Sequence, residues 1–290
     1  MRSLLTGAAG LLGNALLPAL TEKHDVAAAF HQSPLNVTTP RTTPVQIDLA
    51  DADAVASLVA RVSPDVVLNC AGAVNVDRCE TDHDYALTGN RDFVLNLLRA
   101  QSSAGFRLIH ISTDYVFDGT AGPPDESATP NPINFYGESK LLGEQAILAA
   151  KNDSCVARVC ALYSLDPSAK PNLYSKIVKS LEAGRSFPAA TDLYTNPTEV
   201  NDLAGALAEL VELQELPKML HLAAPEYLSR YEFALQVAQR NGLDESLVKP
   251  VTSDEIEFVA ERPKHAGLAS QFAKSELGLC LKSFGELIAD

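Results

Sequence analysis

Three observations predict an α/β protein built on a doubly wound parallel sheet. Short apolar runs alternate with longer stretches of helical period through the first half of the 290 residues. Gly7, Gly10 and Gly13 follow the first of those runs, in "LLTGAAGLLGNALL". After Val159 the alternation loosens and helical period takes over.

The expected strands are Arg2–Thr6, Asp25–Phe30, Val45–Asp48, Asp65–Asn69, Arg107–Ser112 and Ser154–Val159. Between them, apolar residues at spacings of three and four predict helices over Leu11–Thr21, Asp53–Val62, Tyr85–Ser102 and Tyr136–Ala150. The stretch "DGTAGPPDESATPNPINF", from Asp118 to Phe135, is rich in Pro, Asp, Ser and Gly and reads as a surface loop at the carboxyl end of the fifth strand. Further on, Asn172–Glu182 and Asn201–Leu213 read as helices and "KMLHLA" as a short strand. Ser229 caps a helix over Arg230–Asn241, and Gly278 ends another. The expected division is a first domain of residues 1–159, with a return segment at about 198–223, and a smaller, mostly helical lobe of 160–197 and 224–290.

Composition narrows the function classes. With 46% hydrophobic residues, the chain can fill a sizeable core. Its 37 acidic and 23 basic residues leave a net charge of −14, which repels a phosphate backbone, so a nucleic-acid partner is not expected. A small anionic ligand remains compatible, because a glycine loop and a few local cations suffice for it. Arg2 and the apolar residues after it imitate a signal peptide, but Gly7, Gly10, Gly13 and Asn14 interrupt them. No run approaches membrane-spanning length. Five cysteines, without CxxC spacing, fit a reduced, cytoplasmic protein and give no zinc site, and none of the six scattered histidines has a helical partner.

The glycine spacing, directly after a strand and opening a helix, is that of a dinucleotide site. Gly7 permits the tight turn, Gly10 lets a pyrophosphate approach the backbone, and Gly13 lets the helix pack on its strand, while Leu11 and Leu12 supply first-turn amides. Small residues that merely pack a helix on a sheet are the competing account. The second strand ends "AAAFHQS" and lacks the acidic residue that would take the ribose hydroxyls of NAD, which favours NADP(H) over NAD(H). His31, Gln32, Ser33 and the later Arg41 are the candidates for a 2′-phosphate. Asp48 and Leu49 are expected near the adenine, unless Asp48 is an ordinary solvated strand end. Ala71 and Gly72, in "LNCAG", let the backbone lie close to a cofactor. In "HISTDYVFDG" a regular strand can turn only one of Ser112 and Thr113 into the site, and Thr113 is expected there.

The stretch "NFYGESKLLGE" sets Tyr136 one helical turn before Lys140. Such a pair alone is weak, since eight tyrosines in this chain would produce on the order of 0.3 by chance. Together with "TGAAGLLG", "LNCAG", "ISTDYVFDG", "AVNVDRCE", Asn90, "DLYTNPTEVNDLA" and "ERPKHAGL", the chain resembles the extended short-chain dehydrogenase/reductases nearly throughout its length. Within them it resembles the dTDP-4-dehydrorhamnose reductases. The resemblance implies a Rossmann-type sheet with a substrate-binding lobe and NAD(P)H-dependent reduction of a 4-keto-6-deoxy sugar nucleotide. Tyr136 would protonate the substrate carbonyl, and Lys140 would bind the nicotinamide ribose and favour the phenolate. Thr113 would hydrogen-bond the reacting oxygen, with Asp114 beside it near the sugar. A phenol moved from about 10 to about 7 needs roughly 4 kcal/mol, which a buried ammonium one turn away is expected to supply.

Two positions depart from that family: Ala161 where an aromatic Trp is common, and Leu193 where Asp192 would be followed by Gln. Both point to a substrate other than dTDP-4-dehydrorhamnose. A non-catalytic cofactor-binding subunit, similar to the β subunit of methionine adenosyltransferase, is the alternative from another class. A 4,6-dehydratase would need Glu after Asp114, where this chain has Tyr115. Monomer and homodimer both remain open.

Overall fold

The computed structural model describes residues 1–289, and its first half follows the alternation of apolar runs closely. The strands are β1 (Arg2–Thr6), β2 (Asp25–Phe30), β3 (Thr42–Gln46), β4 (Val66–Asn69), β5 (Arg107–Thr113) and β6 (Ser154–Val159). The helices between them are α1 (Leu11–Thr21), α2 (Ala52–Val62), α3 (Val76–Thr81), α4 (His83–Leu87), α5 (Phe93–Ala104) and α6 (Phe135–Ala150). The Asp51 carboxylate caps α2 and the Asn134 amide caps α6, each accepting from first-turn amides left without helical partners.

Two expectations need correction. β3 lies earlier than Val45–Asp48, because it is an exposed edge strand whose apolar residues do not mark its limits and which tolerates Pro44. The helix expected over Tyr85–Ser102 is broken by a π-helical turn at Thr88–Asp92, which leaves the apolar period nearly unchanged.

The second half adds β7 (Leu162–Tyr163), α7 (Leu173–Glu182), β8 (Phe187–Ala190), β9 (Tyr194–Thr195), β10 (Thr198–Glu199) and α8 (Val200–Glu212). β11 (Met219–Leu222), β12 (Leu228–Ser229), α9 (Arg230–Arg240), β13 (Val248–Val251), α10 (Gln271–Leu277) and α11 (Phe284–Ala289) follow. β11 joins the main sheet, whose order is β11-β6-β5-β4-β1-β2-β3 with every neighbouring pair parallel. Three two-stranded ladders, β7 with β10, β9 with β12 and β8 with β13, are too short to leave a periodic trace in the sequence.

Apolar layers cover both faces of the sheet. Leu12, Leu16 and Leu20 of α1 pack with Leu203 and Leu207 of α8 on one face, and Leu58, Leu97 and Ile147 of α2, α5 and α6 pack on the other. A separate aromatic cluster of Tyr163, Tyr174, Phe233 and Phe284 holds α7, α9 and α11 together. The strand order reverses between β1 and β4, and a crevice opens there at the carboxyl ends of the strands.

Candidate active site

A cleft of about 760 Å³ occupies that crevice. Its near wall is the turn from β1 into α1. Gly7 has a φ of 67°, and a Cβ there would come within 2.6 Å of the Ala71 amide nitrogen, so the turn needs glycine. A Cβ on Gly13 would overlap the Gly7 carbonyl. Gly10 differs: a Cβ there meets only the Gly7 carbonyl, at 3.0 Å, and otherwise occupies open space. Gly10 is also the N-cap of α1 and supplies no side-chain hydrogen bond to it, which leaves the amides of Leu11, Leu12 and Gly13 to the cleft. This cradle fits the pyrophosphate of a dinucleotide.

Of the residues singled out in the sequence, Gly7, Gly10, Leu11, Leu12, Gly13, His31, Gln32, Ser33, Ala71, Gly72, Thr113, Asp114, Tyr136 and Lys140 all border this cleft. Asp48, Leu49 and Arg41 are not brought to it. Asp48 is exposed and accepts from the Ala50 amide at 2.9 Å, and Leu49 is buried in the core. Arg41 pairs with Asp25 at 2.9 Å. Ser112 and Thr113 both border the cleft, because β5 ends at Thr113 and the chain turns into a 3-10 segment, Asp114–Val116, that the Thr113 hydroxyl caps.

α6 lies tight against that turn, since a Cβ on Gly137 would overlap the Tyr115 carbonyl. The contact sets the Tyr136 ring edge-on to Tyr115, 5.8 Å between centroids, and brings its hydroxyl to Thr113. One turn on, Lys140 is buried and donates to the Ile111 carbonyl at 2.6 Å. Gly72 adjoins it, the site of its absent Cβ lying 3.8 Å from Lys140 Nζ. Asn90, in the π-helical turn, donates to the Ala73 carbonyl and the Ser139 hydroxyl and accepts from the Ala73 amide, tying the loop after β4 to α6.

Burial dominates the titration of these groups. It pushes the Tyr136 phenol well above its ordinary range, with the Thr113 hydrogen bond opposing, so the phenol is a proton donor throughout the neutral range. The expected lowering by Lys140 is not among the main influences, because that ammonium is turned to the Ile111 carbonyl. Burial brings Lys140 down to about 8, against the charge of Glu144. Asp114 is raised to about 6 by burial, although it accepts from the Gly267 amide and the Thr113 hydroxyl.

Towards the second half of the chain the cleft gathers Lys170, Lys176 and Arg230, for which no carboxylate partner is found among the described residues. The Arg230 guanidinium lies near Tyr115, where its charge opposes the rise that burial gives the phenol, and it lies over the Phe258 ring, 5.5 Å from its centroid. Arg262 lies over the same ring and binds Asp77 at 2.8 Å, while its other terminal nitrogen is buried without a partner. Ala161, held at a φ of 43°, and Leu193 also line the cleft, Ala161 two residues beyond Val159, the β6 partner of Thr113. Sequence reasoning missed Cys70, Tyr115, Lys170, Lys176, Arg230 and Phe233 as cleft residues; Arg230 follows the recognised cap Ser229, but only the fold shows which cations lack partners. Among the described residues no cluster of His, Cys, Asp or Glu is arranged to hold a metal ion, and no helix is long and apolar enough to cross a membrane.

Comparison with known proteins places this geometry. The family described as the RmlD substrate binding domain matches residues 1–290. The chain is 34% identical to the dTDP-4-dehydrorhamnose reductase of Mycolicibacterium smegmatis, over 100% of its own length and 84% of that protein. It is 33% identical to the methionine adenosyltransferase 2 subunit beta of Bos taurus, over 92% of its length and 80% of that protein. Among solved structures, the dTDP-4-dehydrorhamnose reductase of Bacillus anthracis in complex with NADP superposes with a TM-score of 0.88 at 26% identity, covering 99% of this chain and 97% of that one. A hypothetical dTDP-4-dehydrorhamnose reductase from Sulfolobus tokodaii superposes at 0.84 with 34% identity, covering 94% of each chain.

Proposed function

Because the chain belongs to the family of the RmlD substrate binding domain, we propose that it is an NADPH-dependent reductase of a keto-sugar nucleotide, of the extended short-chain dehydrogenase/reductase type. The observation that carries this reading is the convergence of Thr113, Tyr136 and Lys140 on one cleft whose opposite wall is the glycine turn. A bound reduced nicotinamide would supply the hydride. Tyr136, protonated at neutral pH, donates its proton to the carbonyl oxygen of the substrate as that oxygen gains charge. Thr113 reaches the same oxygen by turning to it the hydroxyl proton that otherwise goes to Asp114, and Lys140, with donors to spare beyond Ile111, holds the cofactor ribose. Residues 160–197 and 224–290 then form the substrate-binding lobe. The cations Lys176 and Arg230 suit a phosphate-bearing substrate in a protein of net charge −14.

The absence of an acidic residue after β2 supports preference for NADPH, with His31, Gln32 and Ser33 nearest the 2′-phosphate. Five free cysteines support a reducing, cytoplasmic setting. Purified protein incubated with NADPH and a panel of keto-sugar nucleotides should consume the reduced cofactor. Lys140→Met should weaken both cofactor binding and turnover. A tenfold preference for NADH, about 1.4 kcal/mol, would overturn the cofactor assignment. The second reading, a cofactor-binding regulatory subunit, draws on the similarity to the methionine adenosyltransferase subunit. It takes over if NADPH binds and no carbonyl substrate is turned over.

A further inference from the structure

Beneath the reacting end lies a buried ion pair that the reaction itself does not use. Glu144 follows Lys140 by one turn of α6, and its carboxylate accepts both arms of the Arg158 guanidinium, from Nε at 2.9 Å and from a terminal nitrogen at 2.6 Å. Both side chains are at most 3% exposed. The remaining terminal nitrogen of Arg158 lies 3.3 Å from His221 Nε2, and His221 Nδ1 lies 3.2 Å from the Pro124 carbonyl. A carbonyl can only accept, so Nδ1 carries the proton and Nε2 accepts from Arg158. The Phe117 ring lies under the guanidinium, 4.9 Å from its carbon, and the Glu126 carboxylate accepts from the His221 amide at 2.9 Å. One chain of contacts therefore joins α6, β6, β11 and the loop before Tyr136.

Such a pair is an expensive way to fill a core. Desolvating two charges offsets most of their attraction, and apolar replacements of similar volume are often no less stable. Its arrangement instead fixes a geometry: a forked, two-bonded contact admits one rotation of α6, whereas apolar packing admits several. We propose that the Glu144–Arg158–His221 unit is a positioning device for Lys140, holding the rotation of α6 from below and setting a carboxylate one turn from the ammonium. The proposal rests on the reading of Lys140 as the residue that holds the cofactor ribose. The groups that face Lys140 are Glu144 on its own helix, Cys70 beyond β4 and His110 on β5. Cys70 is pushed up to about 12 and His110 held well below its ordinary value, both chiefly by burial, so both are neutral. Glu144 is therefore the charge that opposes the loss of the Lys140 proton, with Arg158 and the neutral His221 behind it.

NADPH affinity measured against pH tests this without any sugar substrate. In the wild type it should fall as the pH rises through the Lys140 transition. Glu144→Gln should move that fall to lower pH by about one unit, because a charge one turn away is removed. This variant leaves Arg158 unpaired and can unfold, so Glu144→Leu combined with Arg158→Met removes the pair together. It should keep a melting temperature near that of the wild type, move the fall in the same direction and bind NADPH at least fivefold more weakly. Arg158→Lys keeps both charges but loses the fork; the fall should stay in place while affinity drops severalfold. A double variant with wild-type affinity and pH dependence would overturn the proposal. Unfolding of all three variants would overturn it too, by making the pair a determinant of folding. The outcomes separate from those of the reductase reading: a shifted binding profile with no keto-sugar turnover defeats the reaction alone, and normal turnover with an unshifted profile defeats the positioning alone.

Discussion

The two ends of the cleft are built on different terms. At the reacting end, Thr113, Tyr136 and Lys140 stand on β5 and α6, desolvated and held by hydrogen bonds or close backbone contacts. At the far end, Lys176 and Arg230 come from a short helix and a helix start, while Lys170 comes from a loop beside the first turns of α1, and none of the three has a carboxylate partner among the described residues. Regular elements fix the chemistry to fractions of an ångström, while recognition is left to side chains that can change without disturbing the sheet.

Breaking the reacting end should cost most. Tyr136→Phe removes one oxygen and keeps the ring against Tyr115. Steady-state turnover should fall by about 10²–10⁴-fold with cofactor affinity retained; a variant keeping most of its rate would end the assignment. Next come the glycines, which separate binding from folding within a single turn. Gly10→Val should bind NADPH on the order of tenfold or more weakly in titration with little loss of melting temperature, since beyond the Gly7 carbonyl, 3.0 Å from its Cβ, the side chain meets only the cleft. Gly13→Ala should instead lower the melting temperature, at a cost of about 1–3 kcal/mol, because its methyl group meets the Gly7 carbonyl.

A smaller effect is expected at the far end. Arg230→Met should raise KM for a phosphate-bearing substrate about tenfold with little change in kcat, leaving NADPH affinity intact. An equal loss in kcat would move Arg230 to the reacting end and erase the contrast. The smallest effect concerns Asp114, whose carboxyl is raised by burial from 3.8 to about 6. A raised value means that the folded state prefers the protonated form, so this contribution to stability is complete below pH 3.8 and is lost as the pH climbs through about 6. Asp114→Asn removes that dependence. Melting curves of the two proteins should diverge by a few degrees between about pH 4 and 7, the wild type losing relative stability as the pH rises.

Much of the reacting end was legible in the sequence, because its positions are tied to local rules. A strand, a glycine turn and a helix must follow one another for Gly7, Gly10 and Gly13 to serve, and Tyr136 and Lys140 share a helix face by spacing alone. The far end was not, since two-residue ladders such as β9 with β12 leave no period, and an unpaired cation is defined by what long-range folding fails to bring near it. Arg41 shows the same limit from the other side: its charge suggested a phosphate, but the parallel pairing of β2 with β3 carries it to Asp25. The π-helical turn at Thr88–Asp92 was hidden because one extra residue barely disturbs apolar period, although it is what aims Asn90 at Ala73 and Ser139.

The segment from Val259 to Ala269 closes the wall of the cleft with bonds to distant partners. The Val259 and Ala260 amides and the Arg262 guanidinium all reach Asp77, the Gly267 amide reaches Asp114, and the Leu268 amide reaches Asn196. Asp77 and Val259 stand 182 positions apart. During synthesis, therefore, the parallel sheet strands β1 to β6 emerge and can pair long before this wall exists, and loop closure over such separations is slow. The strap is therefore the last stretch of the cleft wall to leave the ribosome, and it is fastened to positions synthesised as early as Asp77.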